Sequence, residues 1–314
     1  MKKIPVWIDT DCGVDDAMAL LLAFRLPELE IVGLSAVAGN VTLENTYRNT
    51  RDIAALAGRK DIPVYKGADR PWIVEPRRAE YVHGVDGLGG AEIAHSDAPE
   101  AEGHAWDALY QCAKKYPGEL QVVAVGPLTD VANAVIKYPD LPQYVKGIHI
   151  MGGVAAGPGN TNMTAEFNIM GDPHAAACVF KSGIPVTMAG LDVTLKAHLN
   201  KEEVEAIAST DNKVCKLISQ ATRNTLALYK QLGLGEIMCM HDSCPILNLA
   251  HPEFFSGKEA GVHVETTGVE TLGKTVCDLY SDGKHGVKNT TVLLDCDREA
   301  IVRLVTEIYT TYEA

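Results

Sequence analysis

Near the start of the chain runs Ile4-Pro5-Val6-Trp7-Ile8-Asp9-Thr10-Asp11-Cys12-Gly13-Val14-Asp15-Asp16. Residues 4–8 are a short apolar run of the buried-strand type. Gly13 punctuates a turn, and residues 15–24 then read as a helix that is apolar on most faces. Similar units recur along the chain. Residues 31–37 are strand-like and 43–56 helical, and further short apolar runs lie at 121–125, 145–151 and 185–189 with helical stretches between them. This alternation predicts an α/β fold with a mainly parallel, Rossmann-like sheet flanked by helices. Residues 191–244 read as mostly helical. Strand-like pieces follow at 261–266, 274–279 and 291–294, and a closing helix spans 297–312 with Asp297 as its N-cap. No linker, repeat or low-complexity tract interrupts the 314 residues, so 1–314 is read as one domain.

Composition narrows the function. Apolar residues make up 46% of the chain and charged ones 22%, enough for a sizeable core. The formal net charge of −13 is spread along the sequence and repels phosphate backbones, which argues against nucleic acid as a partner. No apolar run is long enough to span a membrane, and the N-terminus lacks the pattern of a signal peptide. The eight cysteines are scattered without a CxxC pair, so no zinc site or disulfide framework is expected, and the cytoplasm is the simplest compartment.

In an open parallel sheet, ligands bind beyond the carboxyl ends of the strands. Asp9, Asp11, Asp15 and Asp16 lie within eight residues at such an end. Capping and the helix dipole account for one or two of them. Four carboxylates this close repel one another, and a divalent cation resolves that repulsion. With only oxygen ligands at hand, calcium or magnesium suits the site better than zinc, and such an ion can lower the pKa of a water.

The segment Asp9-Thr10-Asp11-x-Gly13-x-Asp15-Asp16 after an N-terminal strand resembles the signature of the inosine-uridine-preferring nucleoside hydrolase family, with Cys12 where Pro is usual. Further resemblances follow in order: Ala38-Gly39-Asn40-Val41-Thr42, Val82-His83-Gly84-Val85-Asp86-Gly87, Val125-Gly126-Pro127-Leu128-Thr129, Gly159-Asn160 with Ala165-Glu166-Phe167-Asn168, and His241-Asp242. The resemblance covers essentially the whole chain. It implies Ca2+-dependent hydrolysis of ribonucleosides to ribose and free base, and a homodimer or homotetramer.

Carried over residue by residue, the resemblance makes Asp11, Asp16, Asp242 and the Val125 carbonyl the calcium ligands. Asp11 is the candidate general base and Asp15 a partner of a ribose hydroxyl, although these two roles could be exchanged. Asp9 is expected to orient the ligands. Asn40, Asn160, Glu166 and Asn168 suit the ribose, since carboxylates accept from hydroxyls and amides both donate and accept. His241 is the candidate acid for the departing base, and His83 a wall of the base pocket. Tyr229, Gln231 and Met240 are further candidates for that pocket.

Each residue also has a plainer reading. Asp242 could cap the helix at Cys244-Pro245-Ile246, and Asn or Glu in Gly-rich loops commonly satisfy turns. Two other functions compete. The Asp9-Thr10-Asp11 strand end meets half the motif of haloacid-dehalogenase-like phosphatases, but Gly13 stands where Thr or Val is expected. A nucleoside- or ribose-binding protein without turnover would keep the same site.

Overall fold

The structure, a computed structural model, describes residues 2–281 and 287–313. Its strands are β1 (Ile4–Thr10), β2 (Leu29–Ala36), β3 (Val64–Lys66), β4 (Leu120–Ala124), β5 (Val145–Met151), β6 (Val186–Ala189), β7 (His198–Asn200), β8 (Ile237–Cys239), β9 (Phe255–Val264), β10 (Thr275–Asp278) and β11 (Thr290–Cys296). Nine of them form one sheet in the order β10-β9-β11-β6-β5-β4-β1-β2-β3. From β3 to β11 every neighbouring pair is parallel, while β9 and β10 run antiparallel at the end.

Side-chain alternation along β1 builds the layers. Val6 and Ile8 enter one core with the helices Val14–Ala23, Leu43–Leu56, Lys213–Gln231, Ser243–Ala250 and Arg298–Thr310. Trp7 points the other way, into a core with the helices Ala105–Lys115, Thr129–Lys137 and Pro173–Phe180. With both faces covered, the central strands are mainly apolar, and that is why they were legible as near-continuous runs.

Chain order reverses between β1 and β4, since β2 and β3 lie to one side of β1 and β4, β5 and β6 to the other. The carboxyl ends of β1 and β4 therefore flank the crevice where this architecture binds ligands. Asp11 and Val125 follow those two ends directly.

The sequence reading needs three amendments. Residues 191–244 hold the short antiparallel pair β7–β8 between helices. The run at 261–266 is the far end of a ten-residue strand, whose exposed first half hid it. The strand Val64–Lys66 and the helix Ala105–Lys115 were not foreseen. The closing helix is as expected: the Asp297 carboxylate accepts from the Ala300 N–H at 3.0 Å.

Candidate active site

The turn after β1 packs carboxylates where the chain has no room to spare. Gly13 precedes the helix Val14–Ala23, and a Cβ there would lie 2.6 Å from Nδ1 of His83 and 2.7 Å from Nδ2 of Asn40. Only glycine lets those two side chains close over the turn. Asp16 is held from three sides: it accepts from the Gly13 N–H at 2.8 Å, the Thr10 hydroxyl at 2.5 Å and the Asn40 amide at 3.1 Å. It therefore serves partly as the helix cap that the plainer reading expected. One oxygen of Asp11 accepts from the Asn40 N–H at 2.7 Å. The other is buried and has no hydrogen-bond partner among the described residues. A buried orphan acceptor of this kind is costly unless a ligand satisfies it.

Asp242 stands at the start of the helix Ser243–Ala250, yet its side chain makes no capping bond. It turns instead toward Asp15 and Asp16, and one oxygen from each of the three lies within 4.8 Å of the others, close enough to hold a metal ion. Burial raises the proton affinity of all these acids, with neighbouring charge adding to it at Asp11, Asp15 and Asp242. Asp11 and Asp242 rise well above the ordinary carboxylate range, Asp15 reaches about 7, and Asp16 rises too although the Thr10 and Gly13 bonds oppose it. Such a group cannot ionise fully without a counter-charge. An all-oxygen donor set with an unpartnered oxygen fits a hard divalent cation.

The acids border a cleft of ≈ 650 Å³, counting its open mouth. Asp15, Asn40, His83, Val125, Asn160, Glu166, Asn168, His241 and Asp242 all line it. Asp11 and Asp16 sit behind the lining, wholly buried. Val125 and Asn168 meet directly, for the Asn168 amide donates to the Val125 carbonyl at 2.8 Å and to the Met151 carbonyl at 3.1 Å. The Val125 carbonyl keeps a second lone pair free. Glu166 accepts from the backbone N–H groups of Gly153, Asn168 and Ile169 at 2.9, 2.8 and 3.2 Å. Burial still lifts it to about 7. Asn160 accepts from the Phe167 N–H at 2.9 Å, tying two parts of this wall together.

Beside the acids the same cleft carries a different chemistry. His241 Nδ1 is 2.8 Å from the Thr194 hydroxyl and Nε2 is 2.9 Å from the Tyr229 hydroxyl. His83 Nδ1 accepts from the Val14 N–H at 3.1 Å and lies 3.8 Å from Asp15. Burial pulls His241 down to about 4 and, together with His241 nearby, pulls His83 down to about 3, so both rings are neutral at pH 7. Burial also raises the Tyr229 phenol, which keeps its proton.

The model of the inosine-uridine preferring nucleoside hydrolases matches residues 6–303, nearly the whole chain. The chain belongs to this family. As a nucleoside hydrolase it is 40% identical over 306 residues to the pyrimidine-specific ribonucleoside hydrolase RihA of Citrobacter koseri, covering 97% of each chain. Among solved structures it resembles a plant nucleoside hydrolase, PpNRh1, with a TM-score of 0.93 and 31% identity over 99% of this chain and 100% of that one. The purine-preferring ribonucleoside hydrolase from Gardnerella vaginalis superposes with a TM-score of 0.91 at 30% identity, covering 98% and 99%. Both the α/β architecture and the ribonucleoside hydrolase class expected from the sequence thus hold.

Some residues behave differently from the sequence reading of this hydrolase. Tyr229 lines the cleft, but Met240 is buried in the core and Gln231 lies on a separate surface groove. Asp9 accepts from the Ser35 hydroxyl at 2.5 Å and shares its other side with Asp130 rather than with Asp15, Asp16 and Asp242; burial and that neighbouring charge raise it well above the ordinary carboxylate range. Thr194 was missed altogether. It is an ordinary helical threonine in sequence, and only the fold brings it to His241, 47 residues away.

Proposed function

We propose that this nucleoside hydrolase cleaves the N-glycosidic bond of ribonucleosides, with pyrimidine nucleosides such as uridine as preferred substrates and Ca2+ as cofactor. One observation carries the reading: one cleft brings together a buried acid cluster and the neutral Thr194–His241–Tyr229 chain, joined at His241-Asp242. The pyrimidine preference is supported by the likeness to RihA.

In this reading Asp11, Asp16, Asp242 and the Val125 carbonyl would hold the ion, which when bound would supply positive charge that lowers the pKa of a water and attracts hydroxyl oxygens. Asp15, Asn40, Asn160, Glu166 and Asn168 fix the ribose hydroxyls. Asp11, with its unpartnered oxygen, takes a proton from the attacking water. The water oxygen bonds to the anomeric carbon as the bond to the base nitrogen breaks, and positive charge builds on the sugar between carboxylates that stabilise it. His241 acts as the acid through its hydrogen-bonded partner. The Tyr229 hydroxyl gives its proton to the departing base, His241 relays a proton back to it, and solvent replaces that proton afterwards. His83 walls the pocket. The products are ribose and free base.

Eight free thiols support a cytoplasmic, reducing setting, in keeping with nucleoside salvage or catabolism. No helix among the described residues is long and apolar enough to cross a membrane. We read the chain as a single domain acting as a homodimer or homotetramer, which light scattering in solution would establish.

The first experiment is base release from uridine, cytidine, inosine, adenosine and guanosine, with and without a chelator. Release from the pyrimidine nucleosides that stops on chelation and returns with Ca2+ is the expected result. Release untouched by chelation would defeat the metal role, and ribose binding without release would leave a binding protein.

A further inference from the structure

We infer that Thr275 is a positioning residue for the sugar end of the cleft, and that the antiparallel β9–β10 hairpin acts through it as a clasp on the Gly152–Asn168 wall. The inference rests on the reading of Glu166 as a ribose contact.

The wall begins at the end of β5, where the chain leaves the sheet. Its first residues have little structure of their own and are held by bonds from elsewhere. The Gly153 N–H donates to Glu166 at 2.9 Å, so the position of Gly153 sets where that carboxyl lies. The next residue, Val154, is gripped by the hairpin. The Thr275 hydroxyl donates to the Val154 carbonyl at 2.8 Å and accepts from the Val154 N–H at 2.9 Å. The Lys274 ammonium donates to the same carbonyl at 2.9 Å. Thr275 is fully buried, so water cannot replace its hydroxyl.

Steric fit points the same way. Gly153 has φ +82°, and a Cβ there would lie 2.9 Å from both Oγ1 and Cγ2 of Thr275. The wall therefore presses directly against the Thr275 side chain, with no room for a side chain of its own at Gly153. Two further bonds extend the seam. The Asn162 amide donates to the Leu272 carbonyl at 3.1 Å and the Thr164 hydroxyl to the Glu270 carbonyl at 3.2 Å. The strands that depart from the parallel pattern thus reach the cleft only indirectly, through Val154, Gly153 and Glu166.

A hydroxyl that both donates and accepts at one residue cannot be replaced by a methyl. Thr275→Val keeps the shape and removes both bonds, while Thr275→Ser keeps both bonds. Hydrogen exchange of the Gly153 and Val154 amides, ribose affinity by calorimetry, and KM and kcat for uridine are the measurements. In Thr275→Val we expect faster exchange at those two amides, with ribose affinity and KM worse by about tenfold. Turnover and the relative rates among bases should stay close to wild type, and Thr275→Ser should restore every value. Unchanged exchange, unchanged ribose affinity, a fall in kcat without a change in KM, or failure of Thr275→Ser to restore would each overturn the inference. A wild-type protein that releases no base would defeat the hydrolase reading alone, because exchange and ribose affinity still decide whether the clasp exists.

Discussion

The Tyr229 hydroxyl lies 2.9 Å from Nε2 of His241, and the opposite ring nitrogen lies 2.8 Å from the Thr194 hydroxyl. With both nitrogens engaged, the ring's orientation is fixed and its proton can shift only along this chain. His241 is neutral at pH 7, so a role as acid requires a proton drawn through a partner. Tyr229→Phe should lower turnover on uridine by about 10²-fold, and His241→Asn by at least as much, in line with the loss of a general acid. A chromogenic nucleoside with a leaving group that needs no proton provides the check, because both variants should regain most of the lost rate on it. Equal losses on both substrates would assign the pair to packing.

Asp11→Asn should reduce kcat by about 10³-fold or more while leaving ribose affinity within about tenfold. The substitution keeps an acceptor for the Asn40 N–H and removes the charge and basicity of the orphan oxygen. Single-turnover rates beside ribose titrations separate the two effects. A variant with near-normal turnover would transfer the base role to Asp15.

Calcium and protons should compete for the acid cluster. Burial holds Asp11, Asp16 and Asp242 above the ordinary carboxylate range, and burial with the Asp16 charge holds their neighbour Asp15 at about 7. A carboxyl whose folded-state pKa exceeds its unfolded value favours folding at low pH, and that contribution is lost as pH rises through about 7. An ion that displaces the protons removes the penalty. The rise in melting temperature on adding Ca2+ should therefore be small near pH 5 and grow toward pH 8, with protons released on binding. Melting curves with calcium and with chelator across that range test this, and a gain that does not vary with pH would contradict it.

Protonation of His83 works in the other direction. Its folded-state pKa, about 3, lies below that of a free histidine, so the unfolded chain takes up a proton that the folded chain refuses. Stability is retained above pH 6.5 and falls as the pH drops toward 3. His83→Asn, which can still accept from the Val14 N–H, should flatten this fall by up to about 1.4 kcal/mol per pH unit. Urea unfolding of both proteins between pH 4.5 and 7 gives the comparison, and parallel slopes would show that His83 already titrates normally.

Much of this protein follows from residues close together in sequence. The run from Ile4 to Asp16 specifies a buried strand, a glycine turn and a helix whose first turn carries two acids, because periodicity and turn chemistry act within a few residues. The parallel sheet follows from repetition of such units, and the acid cluster after β1 was legible because ligands gather beyond strand ends, whereas the other candidate site residues came from the family resemblance of their motifs. The tertiary structure alone decided which oxygens meet. It drew Asp15 and Asp16 to Asp242 across more than 200 residues, left one oxygen of Asp11 without a partner, and set Asp9 against Asp130. It also placed Thr194 against His241 and Thr275 against Val154, and moved Met240 into the core while Tyr229 stayed in the cleft. Those pairings depend on packing between distant elements to within an ångström, and no local pattern in the chain encodes a distance of that kind.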